Sequence, residues 1–141
     1  MLSDRIEDLL PHVGAMRMIA AVRRWTEEEI ECVAVSHRDP ANPLRIEGQL
    51  PAACGLEYGA QAMAVHGALV AGRDAKPKVG LLVAAHELEW QVSRLDTIAG
   101  ALTVRARRLL GSAHQVAYEF ELRDGERSLV HGRASVMLAV E

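Results

Sequence analysis

A single carboxylate stands in the most apolar stretch of the chain. Residues 50–72 read LPAACGLEYGAQAMAVHGALVAG, and few polar side chains, such as Glu57, Gln61 and His66, interrupt it. Burying a carboxylate is costly unless the group is paired or used, so Glu57 is a candidate general acid or base. Gln61 follows four residues later, on the same face of a helix. The alternative is that Glu57 is a structural acid held by Gln61.

Acid–base chemistry needs a second titratable group, and histidine is the usual choice near neutral pH. His37 opens the loop HRDPANPL, residues 37–44, and is a candidate partner; a solvated loop histidine is the alternative. His66 lies nine residues after Glu57, and about 900° of helical rotation places it on the opposite face. His66 is therefore expected to be a core or interface histidine. The remaining histidines show no metal-ligand spacing, so no metal site is expected.

Hydrophobic periodicity predicts the elements that position these groups. The segment from Pro51 to Gly72 is apolar on all sides, which predicts a long helix that other elements surround. SDRIEDLL, residues 3–10, predicts a short helix. Asp124–Gly125 predicts a hairpin turn between the last two strands. Strands are predicted over residues 16–25, 29–36, 79–92, 101–109, 114–122 and 128–140.

The predicted strands are consistent with one fold class. In HQVAYEFEL, residues 114–122, apolar and polar side chains alternate strictly, which is typical of a half-buried strand. A curled antiparallel sheet with one apolar face can surround a long apolar helix. This is the hotdog architecture, an α+β fold, and residues 1–141 suit a single domain of this kind. Because a sheet edge is normally covered, a dimer is expected.

Composition narrows the class of protein. Half of the residues are hydrophobic, a quarter are charged and the net charge is −3, which is typical of a globular protein without general affinity for nucleic acid. No uncharged apolar run is long enough for a membrane span. The N-terminus lacks the pattern of a signal peptide, so the cytoplasm is the expected compartment. Cys32 and Cys54 are expected to be reduced thiols.

Two segments carry a family pattern: LLPHVGAMRMI, residues 9–19, and NPLRIEGQLPAACGLEYGAQAMA, residues 42–64. They resemble the 3-hydroxyacyl-[acyl carrier protein] dehydratases of the hotdog fold, and most closely the divergent dehydratase-like branch found in aryl-polyene biosynthesis clusters. The resemblance implies a substrate carried on the phosphopantetheine of an acyl carrier protein, with no further cofactor. It also implies a homodimer, or a heterodimer with another hotdog dehydratase subunit.

The family's helical acid and glutamine have counterparts in this chain. The acid lies six residues after a proline and the glutamine four residues further on, and these positions are Pro51, Glu57 and Gln61. The resemblance implies that backbone amides after the proline, at Ala52 and Ala53, hold the thioester carbonyl. It also implies that Gln61 contributes to the substrate site. An acyl tunnel is expected beside Glu57.

The family's catalytic histidine has no counterpart at its usual position. That position lies eight residues before Pro51 and is occupied by Pro43. Asn42, beside it, can bind a substrate by hydrogen bonding but cannot act as a base. His37, six residues before Pro43, is the candidate replacement. A histidine supplied by a second subunit is the alternative.

Three functions remain open on this basis. The first, and our expectation, is a lyase that dehydrates 3-hydroxyacyl carrier thioesters in fatty acid or polyene biosynthesis. The second is a hotdog acyl thioesterase in which Glu57 acts as nucleophile or base. The third is a non-catalytic partner subunit of an active dehydratase. Arginines at positions 94, 105, 107 and 108 are candidates for docking an acidic carrier protein, or else solvated charges.

Overall fold

The computed structural model describes residues 16–72, 80–112 and 115–138. The short helix predicted over residues 3–10 lies outside these ranges. Within them, short 3₁₀ turns at Ser36–Arg38 and Ala52–Cys54 accompany one long helix and a single sheet. In chain order the elements are β1 (Ala21–Trp25), β2 (Glu29–Ala34), α1 (Gly55–Ala71), β3 (Gly80–Trp90), β4 (Leu102–Gly111), β5 (Gln115–Asp124) and β6 (Arg127–Leu138).

The strands form one antiparallel sheet in the order β1–β2–β4–β5–β6–β3. The sheet curls around α1, which confirms the hotdog architecture and the α+β class. Alternation in β5 is confirmed too, because every second residue from position 116 to 122 is buried and Ala117 lies among the less buried positions. The hairpin between β5 and β6 turns at Gly125, whose φ of 59° lies in the left-handed region that glycine tolerates. The core-facing side chains of β5 are Val116, Tyr118, Phe120 and Leu122.

Helix α1 confirms the prediction over Pro51–Gly72, with Ala52–Cys54 as a 3₁₀ entry turn. It ends where Gly72 adopts a φ of 90°. Within the described part of the chain, no helix is long and apolar enough to cross a membrane. One face of α1 is not fully covered by the sheet. Partly or fully exposed positions recur along this face every three or four residues, at Glu57, Ala60, Ala64, Gly67 and Ala71. Leu56 and the last turn, Ala68, Leu69 and Val70, are also partly or fully exposed.

The prediction of a strand over residues 16–25 is wrong in its first half, because β1 begins only at Ala21. The backbone of Met18 bonds to side chains instead of a neighbouring strand. Its N–H donates to Gln61 Oε1 over 2.7 Å, and its carbonyl accepts from Ser36 Oγ over 2.9 Å. Hydrogen bonds to Gln61 of the helix and to Ser36 thus hold Met18 where strand pairing was predicted.

The outer face of the sheet carries paired charges. Glu31 on β2 accepts hydrogen bonds from Arg23, Arg24 and Arg105 at 3.1, 3.2 and 3.0 Å. Burial raises the pKa of the Glu31 carboxyl, but the hydrogen bonds from Arg105 and Arg23 outweigh it, so the pKa lies below its ordinary value. A groove of about 830 Å³ lies on this face, and none of its lining residues belongs to α1.

Candidate functional site

Glu57 lies in the first turn of α1, half-buried, with its orientation set by Gln61. Gln61 Nε2 donates to Glu57 Oε1 over 3.0 Å and to the Met16 carbonyl over 2.7 Å. Gln61 Oε1 accepts from the Met18 amide, so the side-chain amide cannot be turned the other way. Glu57 Oε1 is therefore an acceptor. A proton that Glu57 transfers must reside on Oε2.

Gln61 was predicted to contribute to the substrate site, and the structure gives it a different set of contacts. Its side chain is fully buried, and its three hydrogen bonds go to two backbone groups and to Glu57. Gln61 is therefore positioned to hold the acid rather than to contact a substrate. The i+4 contact between Gln61 and Glu57, on which the alternative of a structural acid rests, is present.

Asn42 is engaged within the protein. Its Nδ2 donates to the Ser36 carbonyl over 2.9 Å and to the Tyr58 hydroxyl over 3.3 Å. Its Oδ1 accepts from the amide of Leu44 over 2.9 Å, as in an Asx turn. Asn42 is only 6 % exposed. The amide predicted to bind substrate thus fastens the loop that carries Pro43 onto helix α1.

His37 is fully buried, so the alternative of a solvated loop histidine is wrong. Its Nε2 lies 3.0 Å from the carbonyls of both Ile98 and Gly100. Since a carbonyl only accepts, Nε2 carries the proton in the neutral ring. Burial lowers the pKa of His37, with a smaller opposing effect of the two carbonyls. In that neutral ring the basic nitrogen is Nδ1, which is buried without a hydrogen-bond partner, so the ring would have to become accessible to act as the catalytic base predicted for it.

The backbone before α1 was predicted to hold the thioester carbonyl. Pro51 and Arg94 form an isolated antiparallel β-bridge through their backbones. The amide of Ala52 donates to the Ser93 carbonyl over 3.1 Å. That amide is therefore engaged in the fold. Ala53 follows on the exposed side of the entry turn, and its amide is the remaining candidate donor of the predicted pair.

The arginines considered for carrier docking are mostly paired with acids. Arg94 is bound to Asp96, and hydrogen bonding to Arg94 holds the pKa of the Asp96 carboxyl well below its usual range. Asp96 Oδ1 also accepts from the amide of Leu50 over 2.9 Å, which ties down the segment before the helix. Arg107 lies 3.7 Å from Glu119, and Arg105 binds Glu31.

His66 is a core histidine, as its helical position predicted. Its Nε2 lies 2.7 Å from the Thr26 carbonyl and its Nδ1 lies 2.7 Å from the Tyr118 hydroxyl. The Tyr118 hydroxyl therefore donates to Nδ1 of a neutral ring. Burial lowers the pKa of His66 and raises the pKa of Tyr118 to about 12. His66 is not a partner for Glu57.

The structure thus brings together residues that the sequence did not connect. Glu57 and Gln61 were found from their spacing, whereas Met18, Ser36 and Tyr58 were missed. Tyr58 was visible as a polar residue in an apolar stretch, and this was the signal that could have identified it. Among the described residues, no group of three His, Cys, Asp or Glu side chains is arranged to hold a metal ion.

Solved structures share the fold. A chain of the dehydratase heterocomplex ApeI:P from Xenorhabdus doucetiae superposes with a TM-score of 0.87 at 22 % identity, covering 96 % of this chain and 91 % of that one. AziG of S. sahachiroi gives 0.63 at 15 % identity over 100 % of both chains. A thioesterase from Haemophilus influenzae gives 0.61 at 12 %, covering 84 % of this chain and 77 % of that one.

No functionally curated protein matches the sequence. A family model described as ApeP dehydratase matches residues 4–140, nearly the whole chain. The match confirms the resemblance that residues 42–64 carry. The chain belongs to the ApeP-like dehydratase family.

Proposed function

We propose that this chain is one subunit of a hotdog dehydratase that acts on 3-hydroxyacyl thioesters of an acyl carrier protein. Glu57 is the acid, and a histidine of a second hotdog subunit is the base. The observation that carries the proposal is the Glu57–Gln61 contact of 3.0 Å, which orients a half-buried carboxylate at the start of α1. His66 is bonded through both ring nitrogens, and the unpartnered Nδ1 of His37 is buried, so neither ring is open to a substrate and we assign the base to another chain.

The chemistry follows from the roles of the two groups. The partner's imidazole removes the α-proton, and the electron pair forms the double bond between the α- and β-carbons. The bond from the β-carbon to the hydroxyl oxygen breaks, and Glu57 Oε2 donates the proton that makes the leaving group water. The products are a 2-enoyl thioester and one water molecule. The Ala53 amide at the helix N-terminus stabilises the charge on the thioester oxygen.

A second subunit fits the exposed parts of the fold. The exposed face of α1 begins at Glu57 and continues with small side chains, which leaves room for an acyl chain between subunits. The name of the ApeI:P heterocomplex supports a heteromeric partner. We expect the isolated chain to form a homodimer that lacks the base. Light scattering that reports a monomer at micromolar concentration would contradict this assembly.

The decisive experiment is mass spectrometry of a 3-hydroxyacyl carrier thioester. It is incubated with this chain, with a hotdog dehydratase subunit that retains the family histidine, and with both. We expect loss of water with both, at a rate well above that of either subunit. Glu57→Gln should lower the rate of the complex by about 100- to 10,000-fold. Glu119→Gln, on the outer face, is the matched control and should retain the rate.

The other outcomes identify the other functions. Loss of the acyl group with this chain alone would indicate a thioesterase, the second candidate, because a helical carboxylate beside helix N-terminal amides can hydrolyse a thioester without histidine. An active complex that tolerates Glu57→Gln would indicate a non-catalytic partner subunit. Either result would refute the role proposed for Glu57.

A further inference from the structure

Met18 is held by Gln61 of helix α1 and by Ser36 of the 3₁₀ turn Ser36–Arg38. Its N–H donates to Gln61 Oε1 over 2.7 Å, and Gln61 in turn holds Glu57. Its carbonyl accepts from the Ser36 hydroxyl over 2.9 Å, and Ser36 Oγ lies 2.7 Å from the Tyr58 hydroxyl. Met18 and Tyr58 are both almost completely buried. The hydrogen bonds that lead from Glu57 through Gln61 and from Tyr58 through Ser36 therefore meet at the backbone of Met18.

Each of these hydrogen bonds has an assigned donor and an assigned acceptor. Asn42 donates to Tyr58, because Asn42 Oδ1 is already used by the Leu44 amide. The single hydroxyl proton of Ser36 goes to the Met18 carbonyl, which cannot donate, so Tyr58 donates to Ser36. With one direction for every proton, no member can turn without leaving a buried polar atom unpaired.

Resting on the function proposed above, we propose that Tyr58 is a positioning residue for Glu57. Its hydroxyl, through Ser36 and the backbone of Met18, fixes the Gln61 amide that holds Glu57 Oε1. Tyr58 does not contact the substrate. Tyr58 thereby sets the direction in which Glu57 Oε2 delivers its proton. Through its hydrogen bond from Asn42, Tyr58 also connects this arrangement to the loop that Asn42 holds.

The consequence for the reaction is geometric. Proton delivery to a leaving hydroxyl depends on the placement of the acid, and a displacement of about 1 Å can cost roughly 100-fold in rate. Removing the Tyr58 hydroxyl leaves Ser36 free to rotate away from the Met18 carbonyl. Met18 and Gln61 then lose one of their two anchors, while the carboxyl group of Glu57 itself is unchanged.

Tyr58→Phe is the test variant, and Tyr118→Phe is its matched control. Both remove one hydroxyl from a buried tyrosine, but Tyr118 bonds His66 instead of the Ser36–Met18 group. Ser36→Ala is a second test variant, which breaks the same connection while Asn42 still reaches Tyr58. In the two-subunit complex, both test variants should lower kcat roughly 10- to 100-fold with KM nearly unchanged. Tyr118→Phe should retain kcat.

Amide hydrogen exchange supplies a measurement that does not need activity. In the test variants, exchange at the Met18 amide and the Gln61 side-chain amide should accelerate roughly two- to tenfold relative to Tyr118→Phe. Equal exchange in Tyr58→Phe and Tyr118→Phe would overturn the inference, and so would faster exchange with an unchanged kcat. An inactive wild-type complex would refute the proposed function. The exchange rates would still show whether the Tyr58 hydroxyl holds Met18 and Gln61 in place.

Discussion

The ring of Phe120 lies directly against the backbone of Gly59: a Cβ atom on Gly59 would be 2.6 Å from Phe120 Cδ2. The glycine next to Tyr58 therefore has a packing role, in which β5 approaches α1 closely. The neighbouring Gly55 is similar, because a Cβ there would lie 3.1 Å from Val130. Both glycines therefore let strands of the sheet approach the helix closely.

Gly59→Ala should destabilise the fold by about 1–3 kcal/mol, because the ring of Phe120 or the helix must shift to admit the methyl group. Gly67→Ala, on the same helix, is the matched control, since its added Cβ meets nothing within 4 Å. That variant should be neutral or stabilise the protein by up to about 1 kcal/mol. Urea unfolding of the two variants measures the difference. Equal midpoints would contradict the packing role of Gly59.

The two buried histidines should make stability depend on pH. Burial lowers the pKa of His37 and of His66 below the ordinary value of 6.5. As the pH falls below 6.5, the unfolded chain takes up protons that the folded chain resists, so stability present above that pH is lost. Arg38 and Arg45 near His37 oppose protonation further. Near His66, Arg108 opposes protonation and Glu29 partly offsets it.

Urea midpoints at about pH 7.5 and pH 5.5 measure this effect, in a range above the titration of ordinary carboxyls. We expect a lower midpoint at the lower pH. His66→Gln should flatten the dependence. A midpoint that rises on acidification would show that the buried rings are not held neutral.

His37→Gln should separate stability from catalysis. The substitution weakens the bonds to the Ile98 and Gly100 carbonyls, and we expect it to destabilise the protein by about 1–3 kcal/mol. The rate of the two-subunit complex, measured below the unfolding transition, should be retained. A variant that folds normally but loses its rate would restore His37 as the catalytic base.

Glu31→Gln should destabilise the outer face of the sheet. The carboxylate is bound by three arginines, and a neutral amide would leave their charges close together without a counter-charge. Glu119→Gln is the control, because Glu119 is less buried, with 42 % of its side chain exposed, and the described residues give it one ion pair, at 3.7 Å from Arg107. Thermal unfolding should show a clearly lower midpoint for Glu31→Gln than for Glu119→Gln, and the difference should shrink in high salt.

The sequence by itself determined the secondary-structure elements and singled out Glu57 as the candidate acid. Periods of two and of about 3.6 residues are local properties, so β5 and α1 were predicted nearly at their observed bounds. The i+4 spacing of Glu57 and Gln61 is local as well, and their hydrogen bond could be predicted for that reason.

Only the tertiary structure decided which polar atoms remain available for chemistry. The Ala52 amide is taken by Ser93, and the His37 ring by carbonyls near residue 100. Met18 lies in a segment that reads as a strand but bonds to Gln61 on the helix. These partners lie tens of residues apart in the chain. They meet because the sheet curls around α1 and excludes water, so most buried polar groups find an acceptor or donor within the fold.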